Sequence, residues 1–177
     1  MKDIKRIWFD MDDVLCQFFR SFGEHVWWEI EWVKFKYEDI KLYHVWELSR
    51  VKLDKQWMTN LFKRYFEEWD WLSIAPWKWV IDKVNELHNR WKELYIITSR
   101  YDETQKITIQ RANKHFGDKF KDIHFTSFIA TNYIPKSQIA QKLGLDMFVD
   151  DNPAYCEDIA KNCNIPVYFH TQPWNKE

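Results

Sequence analysis

Five short apolar or β-branched runs, at residues 4–9, 93–97, 123–125, 147–149 and 166–169, are separated by stretches long enough to form helices. That alternation is the tightest constraint on the fold. Strands interleaved with helical segments predict a parallel sheet with helices on both faces. Residues 128–130 add to the third strand region. Pro76 reads as the first-turn proline of a helix that carries Trp77, Val80, Val84 and Leu87 to about Asn89. Asp102 is the expected cap of a helix stopped by Gly117. Pro135 opens a short helix that Gly144 closes, and Asn152 followed by Pro153 starts another.

Residues 16–75 break the alternation. FRSFGEHVWWEIEWV and DKQWMTNLFKRYFEEW carry helical spacing and no convincing strand signal. The expected organisation is therefore α/β: a Rossmann-like, doubly wound parallel sheet built from residues 1–15 and 76–177, with a small helical cap, residues 16–75, inserted after the first strand. A chain of 177 residues fits one domain with such an insertion. Nine of the twelve tryptophans fall between Trp27 and Trp79. Most read as packing residues, and a few could line a pocket for a flat ligand.

Composition narrows the function classes. The formal net charge is −1, which argues against a dedicated binder of nucleic acid or of a membrane surface. No apolar run of about 18 residues suggests a membrane span, and the first residues do not read as a signal peptide. Cys16, Cys156 and Cys163 are odd in number and form no CxxC pair, so a reduced, cytoplasmic setting is expected.

In open parallel sheets, ligands bind beyond the carboxyl ends of the strands. The residues found there are Asp10 and Asp12 after the first strand, Thr98 and Ser99 after the second, and Asp150 and Asp151 after the fourth. Lys136 opens the helix before the fourth strand. Two carboxylates about 4 Å apart repel by roughly 4 kcal/mol at an effective dielectric of 20. Against a total stability of about 5–15 kcal/mol, several such pairs need a counter-charge. An all-oxygen donor set suits Mg²⁺, and neither spaced histidines nor paired cysteines point to zinc. The six histidines read as surface or packing residues.

FDMDDVL resembles the first motif of the haloacid dehalogenase-like phosphohydrolases, IITSR their second, IPKSQ their third and MFVDDNP their fourth. The four come in the family's order and span residues 10 to 151. Within that superfamily, DMDDVLCQF, the cap that follows it and HTQPWN near residue 172 are similar to the 5′(3′)-deoxyribonucleotidases. Asp13 stands where many members have Gly, and Gln17 where many have Asp.

The resemblance implies a role for each residue. Asp10 would attack phosphorus, and Asp12 would act first as general acid and then as general base. Mg²⁺ would sit on Asp10, Asp150 and the Asp12 carbonyl, with Asp151 bound through water or orienting Lys136. Thr98, Ser99 and Lys136 would hold the phosphate. Phe18, and more weakly Trp46, would stack on the base of a nucleoside monophosphate. Arg100 reads either as a further phosphate ligand or as a solvent-exposed side chain, and Cys16 as an inert buried thiol. Readings left open are a phosphatase of another small phosphometabolite such as a sugar phosphate, and a catalytically silent nucleotide-binding protein. No membrane or stable nucleic-acid partner is expected, and a homodimer is left open. A phage origin would place the protein in the host cytoplasm.

Overall fold

The structure is a computed structural model, and it describes residues 3–26, 37–41, 56, 60–61, 64–65, 71–100, 104–126 and 133–176. Five strands, β1 (Arg6–Phe9), β2 (Glu93–Thr98), β3 (Phe120–Phe125), β4 (Met147–Asp150) and β5 (Val167–Phe169), form one parallel sheet in the order β3-β2-β1-β4-β5. The helices are α1 (Phe18–Val26), α2 (Lys78–Asn89), α3 (Gln105–Phe116), α4 (Lys136–Leu143) and α5 (Pro153–Cys163). The expected α/β, doubly wound parallel sheet is what the chain forms.

The two faces of β1 show why its residues make a central strand. Ile7 and Phe9 point to one face, where Leu94, Ile96, Val80, Val84, Ala112 and Phe116 close a core under α2 and α3. Trp8 points to the other, where Ile97, Ala140, Phe148 and Ile159 close a second core under α4 and α5. Trp8 is fully buried, packs edge-on to Phe148 at 4.6 Å, and donates its indole N–H to the Ile97 carbonyl at 3.4 Å. A strand buried on both faces needs a continuous apolar run, which is what residues 7–9 supply.

Sequence and structure differ at the element ends. β3 starts at Phe120 rather than at 123. It is an edge strand, and its exposed Lys121 and Asp122 read as loop, although charge at an edge is ordinary protection against strand pairing. Helix α2 begins at Lys78 with an extended Trp77 before it, so Pro76 lies outside the first turn. Thr104 takes the position before α3, while Asp102, residues 128–130 and Trp46 lie outside the described residues. The other caps are as expected. Asn152 accepts from the Ala154 and Tyr155 amides, and Gly144 closes α4 at φ 59°. A side chain at 144 would be strained by that φ and would also meet Arg6 Nη1 at 3.1 Å.

Of the expected cap, helix α1 and two short 3₁₀ turns (Tyr37–Asp39 and Trp71–Ser73) are described. Phe18, Phe22, Ile40, Leu61 and Tyr65 bury their side chains in the core beneath α1. No helix among the described residues is long and apolar enough to cross a membrane.

Candidate active site

The strand order reverses between β1 and β4: the chain runs from β1 out to β3, then returns to β4 and β5 on the other side. The crevice at such a switch point is where ligands bind in open α/β sheets. Register brings the chemistry level there. Phe9 lies abreast of Ile96 and of Val149, so Asp10, Thr98 and Asp150 emerge together at the carboxyl edge. The Asp10 amide donates to the Val149 carbonyl at 3.0 Å, which ties β1 to β4 at the point where the acids begin.

Residues 10–16 then fold into a tight loop. The Asp12 amide donates to Asp10 Oδ2 at 3.0 Å, and the Cys16 amide to the Met11 carbonyl at 3.0 Å. Asp13 takes a left-handed conformation at φ 56°, where Gly would be the unstrained choice and Asp is among the tolerated exceptions. Its carboxylate offsets that strain by accepting the Phe19 amide at 3.1 Å, which satisfies the open first turn of α1. The substitution of Asp for the Gly common in the resembling sequences thus has a local structural reason.

Lys136 is the centre of the site. Its ammonium donates to Asp10 Oδ1 and to Asp150 Oδ2, both at 2.6 Å, and lies 4.4 Å from the Tyr155 ring centre. Only 1% of Lys136 is exposed. Burial alone would lower its pKa, but the two acids outweigh burial and raise it. Asp10 is pushed up to about 7, chiefly by burial, with Lys136 pulling it down and Asp150 and Asp12 pushing it up. The Lys136 attraction therefore does not offset the burial of Asp10. Asp150 also accepts the Asn152 amide at 2.8 Å.

Asp12 turns the other way. Arg100 donates Nε to Asp12 Oδ2 at 2.7 Å and Nη2 to Oδ1, and Arg111 approaches Oδ1 at 3.6 Å. Burial would raise the Asp12 carboxyl, but Arg100 wins and holds it below its ordinary value. Arg100 thus neither lies exposed nor sits as a free phosphate ligand, the two roles its sequence position suggested. Asp151 accepts the Trp174 indole N–H at 3.0 Å, and Lys136 is oriented by Asp10 and Asp150, so orienting the lysine is not the contact Asp151 makes. Burial, then Asp150, pushes Asp151 well above the ordinary carboxyl value. Thr98 is buried at the end of β2, and the Ser99 hydroxyl accepts from the Thr126 hydroxyl at 2.9 Å. Phe18 is buried, stacked at 6.0 Å on Phe22 and 6.1 Å from Tyr65. Burial pushes the Cys16 thiol up to about 12, so it is inert at ordinary pH.

The segment 172–175, singled out in the sequence only through HTQPWN, closes the site from behind. Gln172 donates its amide to the Asp13 carbonyl, and Trp174 holds Asp151. Asn175 donates to the carbonyls of Asp151 (2.7 Å) and His170 (2.9 Å) and accepts the Gln172 amide at 2.8 Å. Asn175→Ala is expected to cost about 2–4 kcal/mol, because two buried partners and one half-buried partner lose a hydrogen bond together. A lower denaturant midpoint at unchanged slope would show it; an unchanged midpoint would refute it.

Side-chain cations stand among the acids, beyond the one lysine that the sequence points to. Among the described residues, Asp10, Asp12, Asp13, Asp150 and Asp151 face Lys136, Arg100 and Arg111, so the acids outnumber the cations by two, and burial and mutual repulsion raise Asp10, Asp13 and Asp151 above their ordinary values. That excess, on hard oxygen donors, fits a divalent cation such as Mg²⁺. Among the described residues no three His, Cys, Asp or Glu side chains are grouped as a metal site. The carboxylates that converge on one point are Asp10 and Asp150, with the Asp12 carbonyl as the further donor the sequence points to.

No protein-family model matches the chain, and no curated protein matches it. Solved structures do. A haloacid dehalogenase-like family hydrolase from Streptococcus pneumoniae superposes with a TM-score of 0.67 at 17% identity, covering 97% of this chain and 86% of the other. The chain has the haloacid dehalogenase-like fold. A structure described as a predicted phosphoglycolate phosphatase from Haemophilus somnus gives a TM-score of 0.63 at 13% identity, covering 97% and 87%. A superfamily hydrolase of subfamily IA from Geobacter sulfurreducens gives 0.58 at 13%, covering 97% and 93%. Identities of this size carry the fold, and substrate has to be argued from the site.

Proposed function

We propose that the protein is a Mg²⁺-dependent phosphatase that hydrolyses phosphate monoesters through an aspartyl-phosphate. The observation that carries the reading is the single buried ammonium of Lys136 joining Asp10 to Asp150 at the switch point of a haloacid dehalogenase-like sheet. An Asp10 oxygen forms the new bond to phosphorus as the bond to the leaving oxygen breaks, and Asp12, which Arg100 holds ionised in the free protein, passes to that oxygen the proton of the bound phosphate monoanion. Water then attacks the phosphoenzyme, Asp12 takes its proton, and Asp10 is released. Lys136, Thr98 and Ser99 would hold the phosphate oxygens in both steps. Mg²⁺ on Asp10, Asp150 and the Asp12 carbonyl would neutralise charge as it builds on the transferring group.

Nucleoside monophosphates, deoxyribonucleotides above all, are the substrate class favoured by DMDDVLCQF and HTQPWN. A second reading, a smaller phosphometabolite, is favoured by Phe18, whose ring is committed to Phe22 and Tyr65. Phosphate release from a panel of nucleoside 5′- and 3′-monophosphates and sugar phosphates, in Mg²⁺ and in EDTA, separates them. Turnover of deoxynucleotides supports the first, and turnover of sugar phosphates alone the second. No release from any of them by folded, Mg²⁺-loaded protein would sink both and favour a binding protein.

The raised Asp10 pKa gives a further expectation. A proton and Mg²⁺ compete for the same carboxylate. The apparent Mg²⁺ affinity should therefore be flat above pH about 7 and fall about tenfold per pH unit below it. Titration calorimetry from pH 5 to 8.5 measures this, and an affinity independent of pH would remove Asp10 from the ligand set.

A further inference from the structure

We propose that Arg100 is a positioning residue, whose guanidinium sets the place of the Asp12 carboxylate beside the scissile ester. The proposal rests on the phosphatase reading above and extends it to a residue outside its four motifs' acid, hydroxyl and lysine positions.

The geometry is a chain of contacts leading away from the site. Arg100 grips both Asp12 oxygens, with Nε on Oδ2 at 2.7 Å and Nη2 on Oδ1. Its remaining arm, Nη1, donates to Thr108 Oγ1 at 2.9 Å, and Thr108 donates to the Thr104 carbonyl at 2.7 Å. The grip on Asp12 is thereby referred to the first turn of helix α3. Arg111, further along the same helix, adds charge 3.6 Å from Oδ1. A planar fork on both oxygens fixes the rotation of a carboxylate, which a point cation does not. About four lone-pair sites are present on a carboxylate, and the fork takes two. Oδ1 also accepts the Cys16 thiol at 3.6 Å, so Oδ2 is the oxygen that keeps one for proton exchange with substrate or water. Exposure divides the labour: the Asp12 side chain is 26% exposed and that of Arg100 only 4%. Substrate meets Asp12, and Arg100 acts through it. Placement matters because a misplacement of about 1 Å can cost about 10²-fold in rate.

The test compares kcat/KM for an alkyl phosphate with that for 4-nitrophenyl phosphate. An alkoxide needs a proton delivered through Asp12 to leave, and nitrophenolate does not. Arg100→Lys and Arg100→Gln are expected to lose about 10²-fold on the alkyl ester and less than about threefold on the aryl ester. Asp12→Asn should show the same selectivity. The Asp12→Asn/Arg100→Gln pair should be no worse than Asp12→Asn alone, because the two act as a unit. Thr108→Val, nearly isosteric, removes the anchor without touching Asp12, and should show a smaller loss of the same selectivity. It carries the test if the Arg100 variants do not fold. Equal losses on both esters in the Arg100 or Thr108 variants, with Asp12→Asn still selective, would reduce Arg100 to a structural salt bridge and overturn the proposal. An unselective Asp12→Asn removes the acid role of Asp12 and the proposal with it. A wild type inactive on both esters overturns the phosphatase reading itself.

Discussion

Asp10→Asn is expected to fold, to be at least as stable as the wild type at pH 8, and to lose at least about 10⁴-fold in kcat. The two halves of that result have one cause. Asp10 is buried, and its pKa stands near 7 against an ordinary 3.8. A carboxyl raised on folding contributes stability that is fully present below its ordinary pKa and lost as pH rises through the folded one. The metal-free wild type should therefore lose stability between about pH 4 and 7, and the amide, which does not titrate there, should not. The melting-temperature gap between variant and wild type in EDTA should widen from pH 5 to pH 8. The ionised carboxylate that costs stability is the form that would attack phosphorus in the proposed mechanism, so the stabilised variant would have no nucleophile. Phosphate release within tenfold of wild type would end the covalent mechanism. A gap that narrows with pH would contradict the direction of the Asp10 shift.

Lys136→Met should have the largest structural effect of any single change at the site. Removing the ammonium leaves Asp10 and Asp150 buried and facing each other, and breaking a buried pair from one side costs about 3–5 kcal/mol. Methionine keeps most of the side-chain volume, so the loss reports charge rather than a cavity. Turnover should fall by about 10²–10³-fold, the usual scale for one preorganised electrostatic partner. The deciding observation is metal dependence. Mg²⁺ should return more stability to the variant than it adds to the wild type, because it meets two uncompensated carboxylates. Chemical denaturation in EDTA and in Mg²⁺ measures both differences. Equal increments would mean that the metal does not share the acids with Lys136.

Much of this site could be read from the sequence because it is local. Asp10 and Asp150 end apolar runs that are buried on both faces, and such runs announce central parallel strands. Lys136 follows a proline at the start of a helix and is found by that position. Arg100 could not be read this way. One arginine after a strand looks the same whether it is exposed or buried, and what buries it is Thr108, eight residues on, together with the Asp12 it grips 88 positions earlier. The partners of Asp151 were hidden for a similar reason, since Trp174 reaches it across 23 residues through a returning segment. The counter-charges are only partly visible in sequence: acids cluster at strand ends, whereas the arginines that answer Asp12 sit on or beside helix α3 and meet it only in three dimensions. At β3 the signal itself was weak, because Lys121 and Asp122 suit an edge strand and resemble a loop.

The closure of the site by residues 172–175 also has a timetable. The Asp13 carbonyl receives the Gln172 side chain from 159 positions downstream. At a synthesis rate of about 5–20 residues per second, that separation amounts to roughly ten to thirty seconds on the ribosome. Through that interval the acids of the first loop exist without the amides and indole that later seat them, and β1 waits for β4, its partner at the switch point. The loop that carries Asp10 is thus seated only well after it has been made, when the segment that closes over it arrives.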